Sequence, residues 1–537
     1  MHTATRSLRL LLLLVFGNGV GLFAIPGTAA PLELHTRGRI PDPENTNEFR
    51  VVEQRVFWEP KGTAVVICDM WDQHWCPDAT ARVAEMAPRM NEVVKAARAR
   101  GMLIVHCPSD TMPYYKDHPG RLLAQSAPKA ETRVPLQGWC SLAGAKEPRL
   151  PIDDSDEGCD GCPDCKPHKA WSRQHPALGI EPGDAITDSV EAFYLMRQRG
   201  ITNVIVMGVH ANMCVLGRPF SIRQMVAQGQ NVVVMRDMTD SMYNHRKAPY
   251  VSHFRGTELV VEHIEKYWCP SVTSADLLGG EPFRFKGDVR PRLLFLIGED
   301  EYDTKTTLPD FARRELEPRG LDVTLAQSSE EDKNRFPGLA ALKAADLLLV
   351  SVRRRALSKA DLDLIRAHVA AKKPVVGIRT ASHAFDPQPA PSPENAWPGF
   401  DDEILGADYQ GHYGAGPATV VSFIPETAGN PILNGVSPSF RVPSHLYKYR
   451  KLLNTVTPLL EGATEDGKSP REPVAWINTS EARRVFYTSM GAKGDFADPS
   501  FRRLLLNGIL WALDLPIPPA AAPTPGVAIP PNPQPAT

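Results

Sequence analysis

The sequence predicts an α/β protein with two domains, each built from a mainly parallel sheet between two layers of helices. Two observations lead to this prediction. Short β-branched runs alternate with helical segments of ten or more residues, first over residues 61–279 and again over 290–515, which is typical of βαβ units in a sheet covered on both faces. At 537 residues, the chain is also too long for one ordinary core. We therefore expect two three-layer αβα domains.

The first series contains three runs with the composition of buried strands: TAVVICDM (63–70), MLIVHC (102–107) and NVIVMGV (203–209). Residues 107–185 interrupt the series with a long insertion rich in Pro, Gly, Asp and Cys. Irregular stretches of that length inside a domain tend to be functional lids or separately cross-linked loops. Residues 31–60 are polar, so we expect an irregular N-terminal extension there.

The second series begins with RLLFLIGEDE (292–301) and ends with the helical pattern FRRLLLNGILWALD (501–514). Between the two series, GGEPFRFKGD (279–288) has the composition of a linker. Beyond the second series, residues 516–537 are rich in Pro and Ala. Such a segment cannot bury a core, so we expect a disordered or extended tail.

Residues 1–30 have the layout of a secretory signal peptide: a basic start, an apolar stretch from Leu10 and small residues before a cleavage point near Ala30. An uncleaved anchor is the alternative, but three glycines interrupt the apolar stretch. We therefore expect export to the periplasm or the extracellular space. No other segment is apolar enough to span a bilayer, so stable membrane insertion is not expected. With a net charge of −2 and no basic stripe, nucleic acid is not an expected partner.

Polar side chains stand at the ends of three predicted strands in the first domain: Asp69, His106 and Cys214. Ligands bind at the carboxyl ends of parallel strands, where side chains distant in sequence can converge. Cys214 also precedes a helical segment, and a helix N-terminus favours the thiolate. This pattern predicts a partly exposed nucleophilic thiolate at Cys214, with Asp69 as the proton acceptor, for attack on an amide carbonyl. A packed core thiol is the alternative for Cys214.

The segments VVICDMWDQ (65–73) and GVHANMCV (208–215), with the helix that follows, resemble the isochorismatase-like cysteine hydrolases. This superfamily includes nicotinamidases and N-carbamoylsarcosine amidases, and the resemblance covers about residues 60–270. It implies a small amide, carbamoyl or ureido substrate, with Asp69 as base and Cys214 as nucleophile.

The same resemblance implies how the turn around the cysteine is built. The backbone N–H groups of Met213 and Cys214 would form the oxyanion hole, and a cis peptide bond at Val209–His210 would shape the turn. The third catalytic member of the family is a lysine. Arg173 lies nearest its expected place, with Lys169 as the next candidate. An arginine supplies a fixed positive charge but does not transfer protons.

Further polar residues could line the pocket, and the sequence leaves the question of a metal open. Asp72, His74 and His106 are the pocket candidates. Nicotinamidases bind a metal through an Asp-x-His pair and a further histidine. This chain offers Asp110 and His118, but Met112 holds the place of the paired histidine, and the three pocket candidates could supply other ligands. The expected reaction requires no cofactor, and the expected partner is a small-molecule substrate. Whether the chain forms a homo-oligomer is also left open.

All nine cysteines lie between Cys68 and Cys269. The insertion contains a C-x2-C-x2-C run that we expect to be structural. With Cys140 or His168, its thiolates could form a tetrahedral zinc site, and disulfides to Cys140, Cys76 or Cys107 are the alternative that an exported protein favours. An odd number of cysteines leaves at least one thiol unpaired unless a partner chain or a metal takes it, and we expect Cys214 to be the unpaired one. The proposed structural cluster comprises Cys140, Cys159, Cys162 and Cys165.

Residues 290–515 resemble the ThuA-like (trehalose utilisation) proteins, which are related to class I glutamine amidotransferases. The resemblance depends on the opening strand, on NPILNGV (430–436) and on the block from 473 to 514. The strand PVVGIRTASH (374–383) lacks the cysteine nucleophile of the amidotransferases. We therefore interpret this domain as a binding or scaffolding module. The alternative for the whole chain is a catalytically silent protein that binds a small molecule or a carbohydrate-related ligand.

Overall fold

The computed structural model describes residues 30–41, 49–162, 164–389, 392–414 and 416–519. The predicted signal peptide, apart from Ala30, and the tail beyond residue 519 lie outside the described residues. None of the helices in these described ranges combines the length and the apolar character needed to cross a membrane.

The first domain is built on one eight-stranded sheet flanked by helices. Its strands are β1 (Leu32–Pro41), β2 (Phe49–Trp58), β3 (Thr63–Cys68), β4 (Leu103–Cys107), β5 (Ala185–Ile186), β6 (Asn203–Val209), β7 (Asn231–Asp240) and β8 (Ser271–Val272). Its helices are α1 (Pro77–Ala99), α2 (Pro119–Gln125), α3 (Glu191–Gln198), α4 (Cys214–Gly217), α5 (Ile222–Ala227), α6 (His253–Tyr267) and α7 (Ala275–Leu278). The strand order is β2-β1-β8-β7-β6-β3-β4-β5, and β3 to β8 pair in parallel.

Every residue of the central strands β3, β4 and β6 is buried, because helices cover both faces of the sheet. Side chains alternate between the two faces along a strand. On β3, Val65 and Ile67 pack in the cluster that contains Met86 of α1. Val66 and its neighbours two residues away pack on the other side, in the cluster that contains Val260 of α6. The continuous apolar runs of the sequence therefore reflect burial on both faces.

The irregular extension that we expected over residues 31–60 is wrong for its described part, because Leu32–Pro41 and Phe49–Trp58 form the paired strands β1 and β2. The two strands pair antiparallel along ten residue pairs, and β1 continues the main sheet through Arg37 opposite Ser271 of β8. The sequence pattern is hard to read because charged residues occupy the strand. Arg37 and Arg39 donate to the carboxylate of Glu265 on α6, at 2.8 and 3.0 Å. That partner lies more than two hundred residues away, so the local sequence gives no sign that these charges are neutralised.

The second domain contains a nine-stranded sheet, whose first five strands are parallel, and a separate two-stranded sheet. Its strands are β9 (Arg292–Gly298), β10 (Asp322–Gln327), β11 (Leu347–Val352), β12 (Val375–Ile378), β13 (Ala407–His412), β14 (Thr419–Phe423), β15 (Ser439–Val442), β16 (Tyr447–Leu452), β17 (Val456–Thr464), β18 (Glu472–Asn478) and β19 (Val485–Thr488). Its helices are α8 (Thr304–Phe311), α9 (Lys359–Ala370) and α10 (Pro499–Ala512).

The order of the large sheet is β10-β9-β11-β12-β19-β18-β17-β14-β15, and strands β13 and β16 form the small sheet. The first five strands in this order, from β10 through β19, pair in parallel. From β19 through β15, each strand pairs antiparallel with the next. Helices α8 and α10 contribute to the core on one face and α9 to the core on the other. The predicted α/β class with two large sheets is confirmed, and parallel pairs form the centre of the first sheet and the first half of the second.

One ion pair ties the segment between the two sheets to the first domain, and a second ion pair joins the two domains directly. Arg290 donates to Glu258 of α6 at 2.8 Å. Close by, Arg255 of α6 donates to Glu317 of the second domain at 2.6 Å. The two sheets remain separate.

Candidate active site

Three neighbouring strands bring the predicted reactive residues to one edge of the first sheet. Strand β3 lies between β6 and β4, with Cys68 opposite both Gly208 and Cys107. A Cβ atom on Gly208, whose φ is 110°, would lie 2.0 Å from the Cys68 carbonyl oxygen, so glycine permits the close approach of β6 to β3. Asp69 follows β3 directly, and Cys214 begins α4 shortly after β6. The expected convergence of these two residues is present.

Asp69 is completely buried and held by two hydrogen bonds to its carboxylate. The Ser109 N–H donates to Oδ1 at 2.8 Å, and Arg218 Nε donates to Oδ2 at 3.2 Å. Burial raises the pKa of Asp69, while the Arg218 charge and the hydrogen bonds act in the opposite direction. The net effect is a carboxylate that is more basic than usual, as a proton acceptor requires.

The Cys214 side chain lies within hydrogen-bonding reach of both the Asp69 carboxylate and the Arg218 guanidinium. Cys214 is only 9% exposed. Burial raises the pKa of the thiol well above its usual value, and the negative charge of Asp69 adds to this effect. Our prediction of a partly exposed thiolate is therefore wrong for this state of the protein. Desolvation outweighs the nearby cation Arg218, and helix α4 is only four residues long.

Arg218 is the cation of the site, although the sequence pattern did not lead us to predict it. It follows Cys214 by four residues, at the end of α4. Besides its hydrogen bond to Asp69, its Nη2 atom lies 3.5 Å from a carboxylate oxygen of Asp110. Its guanidinium carbon is 5.7 Å from the centre of the Trp139 ring. The only signal in the sequence is the C-x3-R spacing, which places both side chains on one face of a helical turn.

Arg173 does not occupy the position that we predicted for the catalytic cation. Its side chain is half exposed, donates to the Tyr114 hydroxyl at 3.1 Å and lies 3.9 Å from Asp72. Its backbone N–H donates to Asp72 and its carbonyl accepts the Asp72 N–H, so the main chain fixes it against that residue. Lys169 donates to the carbonyl oxygen of Asp110 at 2.6 Å.

The turn that precedes Cys214 contains a cis peptide bond between Val209 and His210, as the resemblance implies. The His210 carbonyl oxygen accepts the Met213 N–H at 3.0 Å and the Val215 N–H at 3.2 Å. The Met213 N–H, which we expected in the oxyanion hole, is therefore already bound within the turn.

Of the three pocket candidates, only His74 adjoins this turn. Its ring meets the His210 ring at 5.1 Å and lies beside the stacked rings of Trp71 and Trp171. Burial, with smaller contributions from nearby cations, lowers the pKa of His74 to about 4, so the ring is neutral near pH 7.

The other two pocket candidates fasten the insertion to the sheet. His106 is completely buried, and its ring nitrogens lie 2.9 Å from Gln174 Oε1 and 3.2 Å from Asp184 Oδ2. The Asp72 carboxylate accepts the backbone N–H of Ser172 at 2.9 Å. Both side chains therefore bind residues of the insertion, and neither makes a hydrogen bond or an ion pair with Cys214.

Three cysteines of the insertion are in disulfides: Cys159 pairs with Cys76, just before α1, and Cys162 pairs with Cys165. Cys140 is not part of this cluster, contrary to our expectation. Its N–H donates to the Gly217 carbonyl oxygen at 2.7 Å, and its thiol contacts Gln224, so it packs beneath α4 and α5. Within the described ranges, no group of three or more His, Cys, Asp or Glu side chains could hold a metal ion. Cys214 is unpaired as we expected, but it is one of several buried unpaired thiols in the described ranges: Cys68, Cys107, Cys140, Cys214 and Cys269.

Comparisons with known proteins match the second domain to a known family. A family model described as ThuA, trehalose utilisation, matches residues 296–512. This match confirms the resemblance that we inferred for that part of the chain. No curated protein matches the chain.

Among solved structures, a ThuA-like protein from Parabacteroides merdae is 15% identical, with a TM-score of 0.32, and the match covers 42% of this chain and 90% of that one. A cysteine hydrolase from Pseudomonas syringae pv. phaseolicola is 17% identical, with a TM-score of 0.26, and the match covers 41% and 92%. An isochorismatase family protein from Burkholderia thailandensis is also 17% identical, with a TM-score of 0.23, and the match covers 40% and 94%.

Proposed function

We propose that the first domain is a cysteine hydrolase that cleaves a small amide, carbamoyl or ureido compound. The observation that carries this proposal is the convergence of Asp69, Cys214 and Arg218 at the carboxyl ends of adjacent strands. A thiol, a basic carboxylate and a fixed cation are the groups that acyl transfer through a cysteine needs.

The first step is attack of the Cys214 sulfur on the substrate carbonyl carbon. Because burial raises the pKa of the thiol, the proton leaves as the S–C bond forms, and the Asp69 carboxylate takes it. The Cys214 N–H is the remaining candidate of the expected oxyanion pair, since the Met213 N–H is bound to His210. Arg218 supplies positive charge beside the sulfur and does not move a proton.

The second half of the reaction releases both products. The protonated Asp69 gives its proton to the leaving nitrogen as the C–N bond breaks, which leaves an acyl group on the Cys214 sulfur. Water then adds to the thioester carbonyl, with Asp69 again accepting a proton, and the acid is released as the thiol is restored. The cycle requires neither a metal nor a redox partner.

The test combines thiol labelling with turnover on the full-length protein. A small thiol-reactive amide probe should label Cys214, and a panel of small amides, carbamoyl and ureido compounds should contain a hydrolysed member. Cys214→Ser should abolish both results, whereas the control Cys140→Ser, which removes another buried thiol, should leave both unchanged. Equal labelling or turnover in Cys214→Ser would contradict the proposal.

The burial of Cys214 favours one alternative, a domain that binds such a compound without cleaving it. Saturable binding of a panel member, with neither labelling nor turnover, would support this silent binding protein. We further propose that the protein acts after export, because the disulfides Cys76–Cys159 and Cys162–Cys165 suit an oxidising compartment. Cell fractionation tests this proposal, and recovery of the uncleaved chain from the cytoplasm would contradict it.

A further inference from the structure

The second domain has its own cluster of polar and aromatic side chains at the carboxyl edge of its parallel strands. The chain order of these strands reverses between β9 and β11, since β10 lies on the outer side of β9. In open α/β sheets, ligands bind in the crevice at such a switch point. The loop after β9 contributes Tyr302 to this edge. Arg379 comes from the turn after β12, the strand that neighbours β11.

Arg379 is buried at this edge with part of its hydrogen-bonding capacity unused. It follows β12 directly, has a φ of 44° and is 1% exposed. Its Nη1 atom donates to the Ser489 carbonyl oxygen at 2.8 Å and to that of His445 at 3.4 Å. Its Nε and Nη2 atoms are buried, and no described group accepts a hydrogen bond from them. A buried charge with unpaired donors is costly, so a native protein rarely keeps one without a purpose.

Two aromatic rings lie close to the guanidinium. Its central carbon lies 4.1 Å from the centre of the Tyr302 ring and 4.7 Å from that of Tyr447. The Tyr409 ring packs against Tyr447, and His383 stacks on Tyr409 at 4.6 Å. Rings stabilise the cation through their faces. The Tyr302 hydroxyl also lies near the guanidinium, but Nε and Nη2 make no hydrogen bond of good geometry with any described group.

The charged side chains near Arg379 are bound to other groups, so none of them accepts a hydrogen bond from Nε–H or Nη2–H. The Asp495 carboxylate is occupied by the backbone N–H groups of Gly491 and Ala492, at 2.6 and 3.1 Å, and by the Ser444 hydroxyl. Arg353, on the loop after β11, is paired with Glu301 at 2.8 Å. Within the described ranges, Arg379 makes no ion pair with a carboxylate at 4.0 Å or less.

We propose that Arg379 anchors a small organic carboxylate in the second domain. The Nε–H and Nη2–H bonds are parallel, and together they form the fork that binds both oxygens of a carboxylate. One fork with one positive charge matches a monoanion. The rings of Tyr409 and Tyr447 then flank the body of the ligand. Because Nε and Nη2 are buried, the ligand reaches them when the ring of Tyr302, which is only half-buried on the loop after β9, moves aside.

The experiment measures thermal unfolding of the full-length protein with millimolar acetate, benzoate or D-gluconate, and with inorganic phosphate or glucose for comparison. At least one carboxylate should raise the Tm in a saturable manner. Arg379→Met should weaken that carboxylate by at least about 10-fold, because it removes two charged hydrogen bonds. The matched control is Arg366→Met, which removes a guanidinium 5.7 Å from the Trp397 ring in the same domain and should keep the full effect.

Three results would overturn the proposal: no carboxylate raises the Tm, phosphate alone raises it, or the effect persists in Arg379→Met. If Arg379→Met does not fold, Arg379→Lys replaces it, since lysine keeps the charge between the rings but lacks the fork. Carboxylate binding at Arg379 does not depend on hydrolysis in the first domain, and the experiment separates the two. A carboxylate product bound near Cys214 would stabilise the wild type and Arg379→Met equally, whereas a ligand on Arg379 would not.

Discussion

Asp69 and Arg379 occupy equivalent places in the two domains. Each follows a central parallel strand directly, each is buried, and each has a left-handed backbone conformation, with φ of 45° and 44°. Non-glycine residues seldom adopt this conformation, and strained positions cluster where a side chain must point at a ligand. The two residues differ in what surrounds them. The Asp69 carboxylate has a cation, a backbone donor and a thiol within the same domain, whereas the Arg379 guanidinium keeps two unused donors.

This difference suggests that the position directly after a central parallel strand serves catalysis in the first domain and ligand binding in the second. The Asp69 group is already complete, as expected of a site that performs chemistry on a substrate held by other groups. The Arg379 group lacks an anion, as expected of a site that a ligand completes. Substitutions at the two edges test this contrast.

The largest effect is expected from Asp69→Asn. The amide keeps the shape of the side chain but cannot accept the Cys214 proton, so kcat/KM on the substrate found in the panel should fall about 10²- to 10⁴-fold. Steady-state kinetics measures the loss. A variant that retains more than a tenth of the wild-type kcat/KM would show that Asp69 is not the base.

Arg218→Met should lower the stability as well as the activity. It leaves the Asp69 carboxylate buried without its cation, which costs roughly 3 kcal/mol in free energy of unfolding. Urea unfolding measures this cost, and kcat/KM should fall at least about 10-fold. Arg173→Met is the matched control, because it removes an exposed guanidinium from the same region and should change neither quantity appreciably. Equal effects of the two variants would refute the assignment of the cation to Arg218.

Sequence reasoning found Asp69 and Cys214 because a polar residue after a buried apolar run marks the end of a strand. It missed Arg218 because the resemblance directed attention to residues before the cysteine strand, whereas the cation lies one helical turn after Cys214. It missed the hairpin β1–β2 because Glu265, which neutralises its arginines, is distant in sequence. It also missed the unpaired donors of Arg379, because only the packed structure reveals which hydrogen bonds a side chain lacks.

His383, buried near Arg379 in the second domain, should make the stability of the protein sensitive to acid. Burial, with contributions from three nearby arginines, lowers the pKa of His383 to about 3. The unfolded chain therefore binds a proton below pH 6.5 that the folded state refuses, so stability present at neutral pH is lost as the pH falls from about 6.5 towards 3. Between pH 7 and pH 5, His383 alone should contribute a loss of about 2 kcal/mol.

Urea unfolding at the two pH values tests this contribution. His383→Gln should reduce the loss, whereas His412→Gln, which changes an exposed histidine of the same domain, should not. An identical pH dependence in His383→Gln and the wild type would contradict a neutral, buried His383.

The smallest effect is expected from Arg379→Met in the absence of any carboxylate, and it contrasts directly with Arg218→Met. The substitution leaves the carbonyl oxygens of Ser489 and His445 without their donor, which destabilises the fold. It also removes a buried charge with two unused donors, which stabilises it. These contributions oppose each other, so the free energy of unfolding should change by about 1 kcal/mol or less. Urea unfolding of both variants in carboxylate-free buffer measures the difference. If Arg379→Met destabilises the protein as much as Arg218→Met does, Arg379 is a structural residue whose interactions are already complete, and the contrast between the two edges fails.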